Sequence, residues 1–124
     1  MTEWTSDELS KIEAADELRI ASVRRDGTLR DPVTIWVVQH GGDLYVRSVN
    51  GRTASWFRGA QDRHEAHVRA GGVERDVRLI ETEDITDEID AAYRAKYPRY
   101  ASNIVNSVLT PDAQTATLKL APRS

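Results

Sequence analysis

The 124-residue chain contains no cysteine, which excludes a disulfide framework, a thiolate nucleophile and a cysteine-based zinc site. Redox chemistry must therefore come from a bound cofactor. No apolar run approaches the ~20 residues needed to span a bilayer, and Met1-Thr2-Glu3-Trp4 lacks the basic-then-apolar layout of a secretion signal. A soluble, cytoplasmic protein is the expectation. Net charge is also scarce, at −3, which argues against a general nucleic-acid binder. No Gly-x-Ser-x-Gly motif or catalytic triad is present, so nothing indicates a hydrolase.

The charge that is there is uneven. Residues 1–17 hold six acids against one lysine, whereas residues 18–78 carry eleven arginines against seven acids, leaving the centre at +4. Arginine's planar fork suits phosphate and carboxylate better than lysine's point charge. Most of these arginines read as solvated faces of strands, but Arg30 and Arg52 stand where strands meet turns. The length fits one domain, 1–124, able to bury roughly two-thirds of its unfolded surface.

Hydrophobic spacing supplies the elements. Thr5 and Glu8 form a capping-box pattern ahead of a helix that runs to about Asp16, with Leu9, Ile12 and Ala15 on its apolar face. Glu17 to Arg25 reads as a strand, Asp26-Gly27 as a hairpin turn, and Pro32 to His40 as a second strand. That strand is apolar on both faces, Val33, Ile35 and Val37 against Thr34, Trp36 and Val38, which predicts cover by a helix or a second subunit. Gly41-Gly42-Asp43 leads into Leu44 to Val49, and after the Asn50-Gly51 break Ala54 to Ala60 reads as a short helix. His64 to Ala70 and Val73 to Glu81 form a hairpin around Gly71-Gly72. Asp84 to Tyr97 is helical until Pro98, a shorter helix runs from about Tyr100 to Leu109, and Thr110-Pro111-Asp112 leads into a closing strand, Ala116 to Ala121. The expected fold is mainly β within the α+β class, a small six-stranded antiparallel barrel with helical caps.

Chemistry concentrates between Arg24 and Phe57. Gly51 permits a sharp bend, and the helix start that follows has unpaired amides, so Arg52 and Thr53 are placed to hold a phosphate. His64 and His67 lie three apart in a strand and point to opposite faces, so no metal is expected between them. Tyr93, Tyr97 and Tyr100 form a stripe with Ile89 that suits core packing or a dimer contact. Asp84, Asp87, Glu88 and Asp90 read as the solvated start of a helix.

From Ser22 to about Ala70 the order is basic hairpin, Arg-x-Pro before an apolar strand, Gly-Asp turn, strand ending in Ser48, Asn-Gly-Arg-Thr, then Trp-Phe in a short helix. This resembles the FMN-binding split-barrel superfamily, and within it the deazaflavin-dependent nitroreductase branch and an uncharacterised bacterial family of short split-barrel proteins. The resemblance implies a coenzyme phosphate held by Arg24, Arg25, Arg30, Arg52 and Thr53, with Ser48, Asn50 and Gly51 beside it. It implies that Val33, Thr34 and Ile35 run along the ring system and that Trp56 is the aromatic following the glycine turn. His40, otherwise a turn residue, becomes a candidate proton donor to a reduced flavin. The chain departs from the pattern at Asp26, an acid where phosphate would approach, and at Arg58-Gly59-Ala60-Gln61-Asp62.

Three functions follow as expectations. The first is a flavin- or deazaflavin-dependent oxidoreductase, a homodimeric small-molecule reductase using FMN or the deazaflavin coenzyme. The second is a cofactor-free split barrel that binds a small ligand or serves as an interaction module. The third is a phosphate-binding scaffold for nucleotides or nucleic acid, supported only by the basic centre.

Overall fold

The computed structural model describes residues 3–98 and 100–123. Helix α1, Ser6–Ala14, begins at the capping box read from the sequence: Glu8 N donates to Thr5 Oγ1 at 3.1 Å and Thr5 N to Glu8 Oε1 at 2.9 Å. Ala15 turns extended, two residues short of the expected end, and β1 follows at Leu18–Ser22.

The strand expected over residues 32–40 is two strands, β2 (Val33–Ile35) and β3 (Val37–His40). The barrel therefore has seven strands where six were expected, and the cause lies in the pairing. The first half pairs with β1, Leu18 opposite Ile35 and Ile20 opposite Val33. The second half pairs with β4 (Asp43–Arg47), Val37 opposite Val46. These partners lie at opposite ends of one sheet whose order is β2-β1-β5-β6-β7-β4-β3. Trp36 is the bend, and through it one continuous segment joins the two end strands of the sheet, bringing the barrel close to closure.

A 3-10 turn, Gly51–Thr53, precedes α2 (Ser55–Arg63), which ends on His64 in a left-handed conformation, φ 56°. β5 (Glu65–Ala70) and β6 (Val73–Glu81) make the expected hairpin. Helix α3 is Thr86–Lys96 and α4 is Ser102–Asn106. Between Thr110 and the closing strand lies a further helix, α5 (Pro111–Thr115), absent from the sequence-based expectation: Thr110 Oγ1 accepts from Ala113 N at 3.1 Å and proline occupies the first turn. β7, Thr117–Pro122, closes the chain.

Two apolar clusters explain the doubly apolar β3. Val37, Leu44, Val46, Leu118 and Leu120 point into the barrel and pack in one cluster with Ile12 of α1 and Phe57 of α2. Val38 and Tyr45 point outward and are covered by Ile89, Tyr93 and Tyr97 of α3 and its C-terminus, with Val105 and Val108. A helix of the same chain thus supplies the cover, and the tyrosine stripe is core. Each fully buried side chain of this size contributes about 1.5–3 kcal/mol. No helix among the described residues is long and apolar enough to cross a membrane.

Candidate functional site

Two chain segments, residues 30–36 and 47–59, bound a pair of cavities. At one end lies a mainly apolar cleft of about 260 Å³, walled by Ile35, Trp36, Val49, Ile104 and Val108, with Glu17, Thr34, Arg47 and Ser107 adding polar groups. Trp36 is fixed as its shelf, because its indole stacks on Tyr97 with centroids 3.9 Å apart and 5° between planes. At the other end lies an open polar groove of about 610 Å³ lined by Arg25, Arg30, Ser55, Arg58, Gly59, Gln61 and Asp62.

The groove has the donor set of an anion site. Helix α2 opens onto it without a side-chain cap, so its first amides retain their partial positive charge. Arg30 ion-pairs with Asp62 through Nη2, yet its Nε is buried without a hydrogen-bond partner among the described residues. Gly59 makes this placement feasible, since a Cβ there would collide with Nε of Arg30. Arg25 approaches Asp62 at 3.5 Å, and Arg58 is exposed with no ion pair among the described residues. Three arginines and one aspartate thus line the groove.

The residues singled out in the sequence divide. Arg25 and Arg30 meet in the groove, and Thr34 and Ile35 line the cleft beside Val33 on β2. Arg24 instead secures the first hairpin, donating to Leu29 O at 2.8 Å and Thr28 Oγ1 at 3.3 Å. Asp26 serves the same turn: its carboxylate accepts from Thr28 Oγ1 at 2.7 Å and Thr28 N at 3.0 Å, and these bonds hold its pKa below the usual value.

Arg52 turns away from the cradle. It pairs with Glu81 at 2.5 Å, donates to Thr115 O at 3.0 Å and lies 5.2 Å over the Phe57 ring. Thr53 Oγ1 donates to Asn50 O at 3.3 Å, and Gly51, φ 75°, backs onto Asp112. Trp56 packs edge-on to Phe57 at 5.8 Å. Ser48 is fully buried, with an unpartnered Oγ. His40 lines a separate groove with Glu13 and Lys96.

One cluster was not anticipated. Arg47, its side chain wholly buried, pairs with Asp90 at 2.5 Å and donates to Thr117 Oγ1 at 2.9 Å, Val108 O at 2.9 Å and Thr86 O at 3.2 Å. Asp90 also accepts from Gln114 Nε2 at 2.9 Å. The reading of Asp90 as a solvated helix acid is corrected, because α3 packs on the outer sheet face and Asp90 points inward. The available signal was an arginine in the run Leu44-Tyr45-Val46-Arg47-Ser48, a charge within an otherwise apolar strand. No group of three or more potential metal ligands occurs among the described residues.

This nearly closed, mostly antiparallel sheet with helical caps is a split barrel of the α+β class. Solved structures with the same fold include a conserved hypothetical protein, Rv2991, from Mycobacterium tuberculosis, with a TM-score of 0.68, 9% identity, and coverage of 99% of this chain and 83% of that one. HutZ, the heme storage protein from Vibrio cholerae, matches with a TM-score of 0.65 and 13% identity over 96% of this chain and 90% of its own. An F420-H2 dependent reductase (FDR-A) matches with a TM-score of 0.61 and 15% identity over 86% and 93%. Within the class, residues 8–120 match the model of DUF2255, described as an uncharacterized protein conserved in bacteria, and the chain belongs to that family. No curated protein matches the sequence.

Proposed function

We propose that the protein binds a phosphorylated flavin or deazaflavin coenzyme along residues 30–36 and acts as a small-molecule oxidoreductase. The observation that carries this reading is the shared wall. The same two segments border an anion-binding groove at one end and an apolar cleft at the other. Arg30 and Thr34 are four residues apart, at most roughly 14 Å of chain. A ligand with a ring at one end and a phosphate at the other matches that arrangement.

Arg25, Arg30, Arg58, Ser55 and the first amides of α2 would hold the phosphate, and the unpartnered Nε of Arg30 supports that fit. The β2 backbone and Trp36 would orient the ring, while Ile104 and Val108 exclude water from its far side. The coenzyme, when bound, supplies hydride transfer. Val49 and Ile104, 48% and 45% exposed at the rim, support a second copy of the chain closing the cleft in a homodimer.

A cofactor-free ligand-binding barrel is the second reading, favoured by the acids that already pair Arg30 and Arg52. Titration of the purified protein with FMN and with the deazaflavin coenzyme separates the two. The oxidoreductase reading expects a shift or quench of chromophore fluorescence at micromolar concentration. Unchanged spectra and no co-elution with either coenzyme would leave the second reading.

A further inference from the structure

Across Thr34 and Glu17 the cleft continues into another depression, of about 380 Å³, bordered by Arg19, Arg69 and the turn at Gly71 and Gly72. Glu17 and Thr34 line both cavities. Strand register sets Thr34, Arg19, Arg69 and Glu74 in one row across β2, β1, β5 and β6. Directly opposed side chains on antiparallel neighbours stand about 4.5–5.5 Å apart at Cβ, and like charges so placed repel.

Glu74 reaches Arg69 at 3.6 Å and offsets one of the two charges. Arg19 has no ion pair among the described residues. Two adjacent planar forks with one free charge between them are complementary to a carboxylate, which accepts from both. Glu17, exposed at the junction, adds a negative charge beside the path from the cleft. That charge disfavours a dianionic phosphate more than a monoanion.

We infer that Arg19 and Arg69 form an anion subsite continuous with the cleft, and that the small molecule taken there is a carboxylate with a compact apolar body. Its body rests against Trp36, Ile35 and Val49, and its carboxylate reaches past Thr34 to the two arginines. The inference rests on the cleft of the proposed function being a ligand site, and not on the identity of the coenzyme.

The test is calorimetric titration of the full-length protein, with and without coenzyme, using benzoate, phenylacetate and 3-phenylpropionate against their uncharged amides. The three acids vary the reach from ring to carboxylate. At least one acid is expected to bind tenfold or more tightly than its amide, with the preference shrinking in 0.5 M salt. Arg19→Gln should abolish the preference, and Glu17→Gln should enlarge it several-fold. Both positions are exposed, so thermal unfolding of each variant should match the parent.

Equal affinity for acid and amide, a preference that survives both Arg19→Gln and Arg69→Gln, or no binding of any probe would overturn the inference. A retained acid preference with no response to FMN or the deazaflavin coenzyme would instead remove the coenzyme reading and leave this subsite standing.

Discussion

Arg47 and Arg30 border the same pair of cavities, yet their surroundings differ in kind. The guanidinium of Arg47 has no exposed surface and donates to four oxygens, one of them the carboxylate of Asp90. Arg30 keeps 30% of its side chain exposed, and among the described residues it has a single acid partner and leaves Nε buried without an acceptor. Buried polar groups in folded proteins are nearly always satisfied. A saturated cation is therefore scaffold, fixing α3, the segment after α4 and β7 to the barrel wall. On the proposed function, the unsaturated one beside an open groove is where a ligand would supply the missing acceptor.

The largest expected effect tests the scaffold half of that contrast. Asp90→Ala leaves a sealed guanidinium without its counter-charge and should cost about 3–5 kcal/mol in urea unfolding. Replacing both partners, Arg47→Met with Asp90→Leu, should cost less than Asp90→Ala alone, because no uncompensated charge stays buried. A loss below about 1 kcal/mol for Asp90→Ala would mean that water reaches the cluster and that the two arginines are not different in kind.

The groove half is tested by affinity. Arg30→Ala should weaken coenzyme binding by about 1.5–3 kcal/mol, the scale of a charge-assisted hydrogen bond, while changing stability little. Gly59→Ala is the sharper variant. Its methyl group would displace Arg30, whereas alanine within a helix is favoured over glycine by about 0.5–1 kcal/mol. Binding should fall while the unfolding midpoint holds or rises. Undiminished titration curves for both variants would place the phosphate outside this groove.

How far the sequence reaches differs between these regions. Alternation and turn residues identify the strands, and Thr5 with Glu8 identifies the first cap, because those signals are local. The split at Trp36 is invisible locally, since residues 33–38 read as one uninterrupted strand that is apolar on both faces. Only the demand that one segment pair with β1 and with β4 bends it. Arg25 and Arg30 are legible as basic residues at a turn, but Arg52 satisfies the same description and is drawn to Glu81, 29 residues later. Arg47 and Asp90 lie 43 residues apart, and Asp90 stands on a helix start that looks solvated until α3 docks.

The sealed region also predicts an alkaline limit to stability. Burial raises the phenol pKa values of Tyr93 and Tyr97 above the usual 10. Below pH 10 both folded and unfolded states keep these protons. Above it the unfolded chain releases them first, so stability should fall with rising pH, by up to about 1.4 kcal/mol per pH unit for each tyrosine. Lys96 acts in the opposite sense below 10.5, because burial lowers its pKa and the unfolded chain holds that proton longer. Urea midpoints measured from pH 8 to 12 should therefore fall only in the upper part of the range. The Tyr93 hydroxyl is buried with no well-formed hydrogen bond among the described residues, so Tyr93→Phe should be close to neutral near pH 7 and should reduce the alkaline slope. An unchanged slope in that variant would assign the limit to other groups.

Arg52→Ala is expected to have the smallest effect. Arg52 and Glu81 are 42% and 35% exposed, and pairs with that access to water contribute about 0–1 kcal/mol. The Arg52 hydrogen bond holds the Glu81 carboxyl below its usual pKa, so the pair's contribution is present above about pH 4.5 and is lost as pH falls through the lowered value. The stability difference between Arg52→Ala and the parent should accordingly shrink in acid. Coenzyme affinity should stay within about twofold, because the guanidinium is directed at Glu81 and Thr115 O rather than at the groove. A loss of affinity matching Arg30→Ala would reverse that assignment. Ligand binding would then break the Glu81 pair and recruit Arg52, restoring the Gly51–Thr53 turn as the phosphate cradle that its sequence suggests.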